Sequence, residues 1–88
     1  KLNPFRYRVF VDEKEIMLTP TQFAILKILM ENAGKVVSRE SLITRVWSYD
    51  FDGDERVIDN HIKKLRRALG NAANQIKTVY KQGYKLEE

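Results

Sequence analysis

Lysine and arginine residues are concentrated in the C-terminal third of this 88-residue sequence. Residues 60–86 carry seven of them and no aspartate or glutamate, whereas residues 1–54 carry equal numbers of both signs. A surface of one sign attracts a polyanion and releases its counterions, so nucleic acid is the expected partner. Charge alone leaves open a solvated basic surface or an acidic protein partner, and the geometry of the segment that carries the charge has to decide.

Several of these cations fall in a segment with the period of an α-helix, from Glu55 to Leu69 and ending at Gly70. At 100° per residue, its large aliphatic residues fall within about a 60° arc, which predicts one buried side. These residues are Ile58, Ile62, Leu65 and Leu69. The opposite arc holds Arg56, Asn60, Lys63, Lys64 and Arg67. A helix with one apolar and one basic side has the form that enters the major groove of duplex DNA, which admits one helix.

Base contacts are predicted near the centre of the basic arc, at Asn60, Lys64 and Val57. Asparagine pairs with adenine N6 and N7, lysine approaches guanine O6 and N7, and an apolar side chain can meet a thymine methyl group. Good pairings of this kind contribute roughly 1 to 3 kcal/mol of discrimination each.

Phosphate contacts are predicted for the cations that flank this centre. Arg56, Lys63 and Arg67 are expected to hold phosphates, which fixes the register of the protein without reading sequence. Arg66 lies nearer the buried side of the helix, and both a phosphate contact and an ion pair with a neighbouring acid remain open for it.

The N-terminal residues 1–19 predict a β-hairpin. Phe5, Tyr7, Val9 and Val11 alternate with Arg6, Arg8 and Phe10, which is the period of a half-buried strand. The polar residues Asp12 to Glu15 predict the turn, after which Ile16 and Leu18 point to one side.

Two further helices are expected between this hairpin and the basic helix. Thr19, Gln22 and Pro20 predict a capping box with proline in the first helical position. That helix is expected to run to about Ala33 before Gly34, with an apolar stripe of Phe23, Leu26, Leu29, Met30 and Ala33. Val36 and Val37 predict a short extended piece, and Ser38 can cap a second helix that ends at Trp47.

The chain closes with a second predicted hairpin over residues 76–86, after a polar linker. Ile76 to Tyr80 predict one strand, Lys81 to Gly83 the turn, and Tyr84 to Leu86 the returning strand. Tyr80 and Tyr84 suit base stacking, although alternate strand residues more often pack within a hairpin. The whole chain therefore predicts one α+β domain of the winged helix-turn-helix type: N-terminal strands over residues 1–19, a three-helix core over 20–69 and a wing over 76–86.

Other classes of protein are poorly supported by the sequence. There is no cysteine, and His61 has no second histidine to share a metal ion. Asp50, Asp52 and Asp54 lack the later ligands of a calcium loop. We find no nucleophile paired with a base and no phosphate-cradling glycine loop, so neither an enzyme nor a cofactor is predicted. The apolar runs are too short to span a bilayer, and no membrane partner is expected.

Strings along nearly the whole chain resemble the DNA-binding (effector) domain of OmpR/PhoB-type bacterial response regulators. The matching segments are residues 18–23 (LTPTQF), 36–42 (VVSRESL), 46–47 (VW), 56–66 (RVIDNHIKKLR), 76–79 (IKTV) and 83–86 (GYKL). Each string is weak alone, but their order and spacing together are highly specific.

The resemblance implies a cytoplasmic bacterial transcription factor that binds promoter half-sites as a head-to-tail pair. It also implies an upstream receiver domain, which this chain lacks, and the start at Lys1 suggests a piece of a longer protein. The loop at residues 48–54 corresponds to a contact with RNA polymerase, which points to Tyr49, Asp50, Phe51 and Asp52. A winged helix that binds protein or RNA is the alternative, and its third helix would expose an apolar or uncharged arc.

Two regions depart from the family pattern. The family usually opens with a four-stranded sheet, whereas residues 1–19 have room for two strands and a stub at Leu2. In the wing, Tyr80, Lys81 and Gln82 replace the arginine, glycine and small apolar residue of many members, and lysine supplies the charge of arginine without its planar fork. DNA contacts from the wing are expected at Thr78, Tyr80, Lys81 and Lys85. Trp47 is expected to pack rather than to contact a phosphate.

Overall fold

Three helices and two small antiparallel sheets make up the computed structural model, which describes residues 2–3, 8–11, 13–47 and 56–87. The strands of the first sheet are β1 (Leu2–Asn3), β2 (Arg8–Val11) and β3 (Lys14–Met17), and the helices are α1 (Pro20–Glu31), α2 (Arg39–Trp47) and α3 (Arg56–Leu69). A 3₁₀ helix (Gly70–Gln75) then leads to β4 (Ile76–Val79) and β5 (Gly83–Leu86), which form the second sheet.

The N-terminal sheet has the strand order β1-β2-β3, with Val9 opposite Ile16 and Phe10 opposite Glu15. The predicted stub at Leu2 is present as a strand. Val9 is buried and Phe10 is exposed, as the alternation predicts. The predicted turn was too long, because Lys14 and Glu15 already pair with β2. The alternating residues 5–7 lie outside the described residues.

Helix α1 begins as its sequence predicts. The Thr19 hydroxyl accepts a hydrogen bond from the Gln22 amide at 3.1 Å, and the Gln22 side-chain oxygen accepts one from the Thr19 amide at 3.0 Å. Pro20 occupies the first helical position. The helix ends at Glu31, and Gly34 has the positive φ expected of a helix stop.

The apolar stripe of α1 needs a correction at its C-terminal end. Phe23, Leu26 and Leu29 are buried, together with Ile25 and Ile28. Met30 and Ala33 are exposed. The helix stops before Ala33, so the periodic spacing that predicts its burial no longer applies there.

Helix α2 is capped by Ser38, whose hydroxyl accepts a hydrogen bond from the Ser41 amide at 3.1 Å. Leu42 and Ile43 of this helix are buried. Residues 48–55 between α2 and α3 lie outside the described residues, so the predicted loop at 48–54 is not tested.

The second sheet is the wing hairpin, with Thr78 opposite Tyr84. Its turn comprises Tyr80 to Gln82, one residue earlier than predicted, and Gly83 opens β5. A Cβ atom at Gly83 would lie 2.2 Å from the Val37 carbonyl oxygen, so only glycine allows this approach. The Val37 amide donates to the Tyr84 carbonyl at 2.8 Å, and the Tyr84 amide donates to the Val37 carbonyl at 3.0 Å. The wing is therefore joined to the segment before α2.

The core lies where α1, α2, α3 and the inner faces of both hairpins meet. Helix α3 contributes its whole predicted stripe, since Ile58, Ile62, Leu65 and Leu69 are all buried. Burial of one such aliphatic side chain stabilises a fold by about 1.5 to 3 kcal/mol, so this stripe is a principal anchor of the helix. The element order confirms the α+β winged-helix architecture.

Candidate nucleic-acid interface

The side of α3 opposite the core is exposed and basic. This side carries four cations and one amide, and all five side chains are exposed; they are Arg56, Asn60, Lys63, Lys64 and Arg67. The buried stripe fixes the rotation of the helix, so the exposed side is a consequence of the core and not of charge. Cations held on one face of an anchored helix form a surface suited to a polyanion.

Asn60 and Lys64, the central pair of this face, are one helical turn apart. Side chains at this spacing are neighbours on a helix, with Cβ atoms roughly 5 to 6 Å apart. They present an amide and an ammonium group side by side, as the predicted base contacts require. Val57 is half-buried and packs against the core, so only part of its side chain remains for a thymine methyl group.

Arg66 lies on a different side of α3 from Arg67, although the two are adjacent in sequence. Its guanidinium donates to the Ile76 carbonyl from Nη2 at 2.7 Å and from Nε at 3.2 Å. It also donates to the Thr78 hydroxyl at 2.8 Å and lies 5.7 Å from the centre of the Tyr84 ring. The sequence left open an acidic partner for Arg66, and these described contacts are instead with a carbonyl, a hydroxyl and a ring.

Asp59 was not singled out by the sequence, yet it joins three elements. Its Oδ1 atom accepts a hydrogen bond from the Tyr84 hydroxyl at 2.5 Å and lies 3.2 Å from Arg39 Nε of α2. Burial raises the pKa of Tyr84 to about 12, and the hydrogen bond and negative charge of Asp59 act in the same direction. The seven-residue spacing of Asp59 and Arg66 places them on one face, but their partners on the wing are not visible from that spacing.

Trp47 and His61 form a tilted aromatic contact between α2 and α3. Their ring centroids are 5.4 Å apart with an interplanar angle of 41°. Burial lowers the pKa of His61, and the positive charge of Lys64 lowers it further. Trp47 packs against the core, as expected. Among residues 2–3, 8–11, 13–47 and 56–87 there is no group of acidic or histidine side chains that would hold a metal ion.

The predicted wing residues differ in their surroundings. Tyr80 is 74% exposed because β4 ends before it, so of the two alternatives for this residue the structure does not fit packing within the hairpin. Tyr84 is buried, as that alternative requires. Lys81 is at the turn with a positive φ, and its Nζ atom lies 5.5 Å from the centre of the Tyr80 ring. Lys85 forms an ion pair with Glu87 at 2.7 Å, and Thr78 accepts from Arg66. The wing tip is therefore where exposed aromatic and cationic groups meet.

The predicted polymerase-contact residues Tyr49, Asp50, Phe51 and Asp52 lie outside the described residues. Within the part of the chain that the structure describes, no helix is long and apolar enough to cross a membrane.

Fold and exposed surface together define a winged-helix DNA-binding domain. Residues 13–86 match the family described as "Transcriptional regulatory protein, C terminal". The chain belongs to this family and is an effector domain of the OmpR/PhoB type. This is a family of transcriptional regulators and not an enzyme family.

Similar proteins agree with this assignment. Regulatory protein VanRB of Enterococcus faecalis is 44% identical over 87 residues, which cover 99% of this chain and 39% of VanRB. The DNA-binding domain of Klebsiella pneumoniae RstA, solved in complex with the RstA box, superimposes with a TM-score of 0.85 at 28% identity, covering 98% of this chain and 88% of that one. The DNA-binding domain of Bacillus subtilis CssR gives a TM-score of 0.87 at 28% identity, covering 98% and 97%. The chain thus spans well under half the length of VanRB.

Proposed function

We propose that this domain binds promoter DNA sequence-specifically, with α3 in the major groove and the wing beside the minor groove or the backbone. The observation that carries the proposal is the division of α3 into a fully buried aliphatic stripe and an exposed basic face with Asn60 and Lys64 at its centre. The RstA DNA-binding domain, which has a similar fold, was solved in complex with the RstA box, and this supports DNA binding by the present domain.

Residue roles follow from position on the exposed face. Asn60 and Lys64 read base edges, with Val57 adding a smaller apolar contact. Arg56, Lys63 and Arg67 hold phosphates, which positions the helix. Thr78, Tyr80, Lys81 and Lys85 supply the wing contacts, of which Lys81 at the exposed turn is the principal one. The basic arc favours a polyanion over an apolar protein surface. The solved complex of the RstA DNA-binding domain with the RstA box favours duplex DNA as that polyanion.

The binding test begins with selection from a random duplex pool, followed by a salt titration of the selected sequence. Asn60→Ala and Lys64→Ala are expected to change which bases are preferred. Lys63→Ala and Arg67→Ala are expected to weaken binding to all sequences and to lower the salt slope by about one each. Equal losses on the selected and random duplexes for all four variants would overturn the base-reading roles.

Further functions concern the complete regulator, of which this chain is one part. We propose an upstream receiver domain phosphorylated by a sensor kinase, binding to DNA as a head-to-tail pair, and contact with RNA polymerase through Tyr49, Asp50, Phe51 and Asp52. The resemblance to response regulators and the greater length of VanRB support this proposal. Substitution of Tyr49 or Phe51 by alanine is expected to leave DNA affinity intact and to abolish activated transcription; unchanged transcription would contradict it.

A further inference from the structure

Two polar side chains on one face of α3 hold the wing. Asp59 accepts the hydrogen bond of the Tyr84 hydroxyl, and Arg66 donates to Ile76 and Thr78. Asp59 and Arg66 are seven positions apart, which corresponds to two helical turns, or about 10 Å along the axis. The hairpin is therefore held from two separated points on the helix that carries the basic face.

The two points converge on one rung of the hairpin. Thr78 and Tyr84 are direct partners in the β4–β5 register, and each is contacted by a different α3 side chain. Arg66 reaches both strands, because its guanidinium bonds β4 and lies over the Tyr84 ring of β5. The turn with Lys81 begins two residues beyond this rung, so a rotation of the rung would move the turn.

We propose that Asp59 and Arg66 are positioning residues that fix the wing relative to α3, so that Lys81 and the basic face engage one duplex as a rigid unit. This role rests on the proposed DNA binding. It assigns Arg66 to the wing instead of to a phosphate, and it gives Asp59 a function although it carries the wrong charge for DNA.

The physical basis is the directionality of hydrogen bonds. Burial of Ile76 and Leu86 attaches the hairpin to the core, but the hydrophobic effect has no preferred direction. The backbone hydrogen bonds to Val37 and Gly34 hold only β5, whereas the side chains of α3 also hold β4. Hydrogen bonds weaken steeply when their angles depart from linearity, so the bond from Arg66 to Thr78 and the bond from Tyr84 to Asp59, at the two sides of one rung, select one orientation. A wing already held in its bound orientation loses less conformational entropy when DNA binds, which favours affinity.

The fixed orientation of the wing is tested first without DNA, by measuring the distance distribution between a spin label on the wing tip and one on α1. The chain contains no cysteine, so Lys27→Cys and Gln82→Cys label two exposed sites only. Arg66→Met keeps an apolar side chain over Tyr84 but removes the donors, and we expect it to broaden the distance distribution between the labels. Arg67→Met, one residue away on the exposed face, is the matched control and should leave the distribution narrow.

Two milder variants keep this test independent of folding defects. Tyr84→Phe removes only the hydroxyl group that donates a hydrogen bond to Asp59, and Arg66→Lys retains the positive charge but not the planar fork. Both are expected to broaden the distribution, Arg66→Lys nearly as much as Arg66→Met. A distribution that stays narrow in Arg66→Met and Tyr84→Phe would overturn the proposal.

The consequence for binding is measured by a double-mutant cycle on the selected duplex. If Arg66 acts through the wing, the factor by which Arg66→Met raises the Kd should be smaller in the Lys81→Ala background, which lacks the wing-tip charge, than in the wild-type background. We expect the two factors to differ by roughly threefold or more. Arg67→Met should cost the same in both backgrounds within about twofold. Equal losses for Arg66→Met in both backgrounds would overturn the proposal and give Arg66 a phosphate contact of its own.

The two measurements separate this inference from the proposed function. A wild-type domain that binds the selected duplex no better than random duplexes would overturn the sequence-specific function. The spin-label distances are measured without DNA, so they would still decide whether Asp59 and Arg66 hold the wing.

Discussion

The N-terminal sheet contains one antiparallel hairpin, β2–β3, and the wing is a second, β4–β5. Each buries one face, but the two differ in their polar contacts. The N-terminal sheet packs against the core through the buried side chains of Val9 and of Leu18, which follows β3. The wing packs against the core through the buried side chains of Ile76 and Leu86. In the N-terminal sheet, Arg8 and Glu15 form an ion pair between adjacent strands of the same sheet. In the wing, the polar contacts described above run outward, to α3 and to the segment before α2.

This difference shows how one motif can be attached in two ways. Apolar burial supplies attachment in both hairpins, whereas contacts to other elements fix orientation in the wing. Orientation matters for the wing because its tip must meet DNA together with α3. We therefore expect substitutions that break outward contacts to have larger effects than substitutions within the N-terminal sheet.

Gly83→Ala is expected to have the largest effect on the wing. A Cβ atom would overlap the Val37 carbonyl, and the φ of +145° is unfavourable for any other residue. We expect a loss of more than about 3 kcal/mol in the free energy of unfolding, measured by urea denaturation. Gly70→Ala is the control, because it also has a positive φ but open space around it, and it should cost only about 1 to 2 kcal/mol. Equal costs would show that the approach to Val37 is unimportant.

The Tyr84 hydroxyl is expected to make the free energy of unfolding fall as the pH rises through the alkaline range. Its pKa is raised from 10 to about 12, so the folded state favours the neutral phenol. The resulting stabilisation is complete below pH 10 and is lost between pH 10 and 12, with a size on the order of 2 kcal/mol. Denaturation at a series of pH values should show this decline in the wild type and not in Tyr84→Phe. A Tyr80→Phe control should retain it, since Tyr80 is exposed.

Glu15→Gln in the N-terminal sheet is expected to have the smallest effect. The side chains of Arg8 and Glu15 are 32% and 41% exposed, and ion pairs at such sites contribute about 0 to 1 kcal/mol. Thermal denaturation should detect at most this change, and the affinity for the selected duplex should be unaltered. If Glu15→Gln lowered the free energy of unfolding as much as Tyr84→Phe does at neutral pH, the contrast between the N-terminal sheet and the wing would be wrong.

Local sequence spacing determined most of the elements. The capping box at Thr19, the cap at Ser38 and the buried stripe of α3 depend on residues three or four positions apart, so they are readable before folding is known. The same periodicity predicted that Asn60 and Lys64 would be exposed. It failed at Met30 and Ala33, where the periodic pattern outlasted the buried part of the helix.

The partners of Arg66 and Asp59 were decided only by tertiary structure. Arg66 bonds residues 10 and 12 positions away, and Tyr84 bonds Asp59 across 25 positions. Helical periodicity gives the direction in which a side chain leaves its helix but not the backbone that another element brings to it. The sequence alone therefore established a helix with a basic face, whereas packing of the wing against that helix separated Arg66 from its neighbour Arg67.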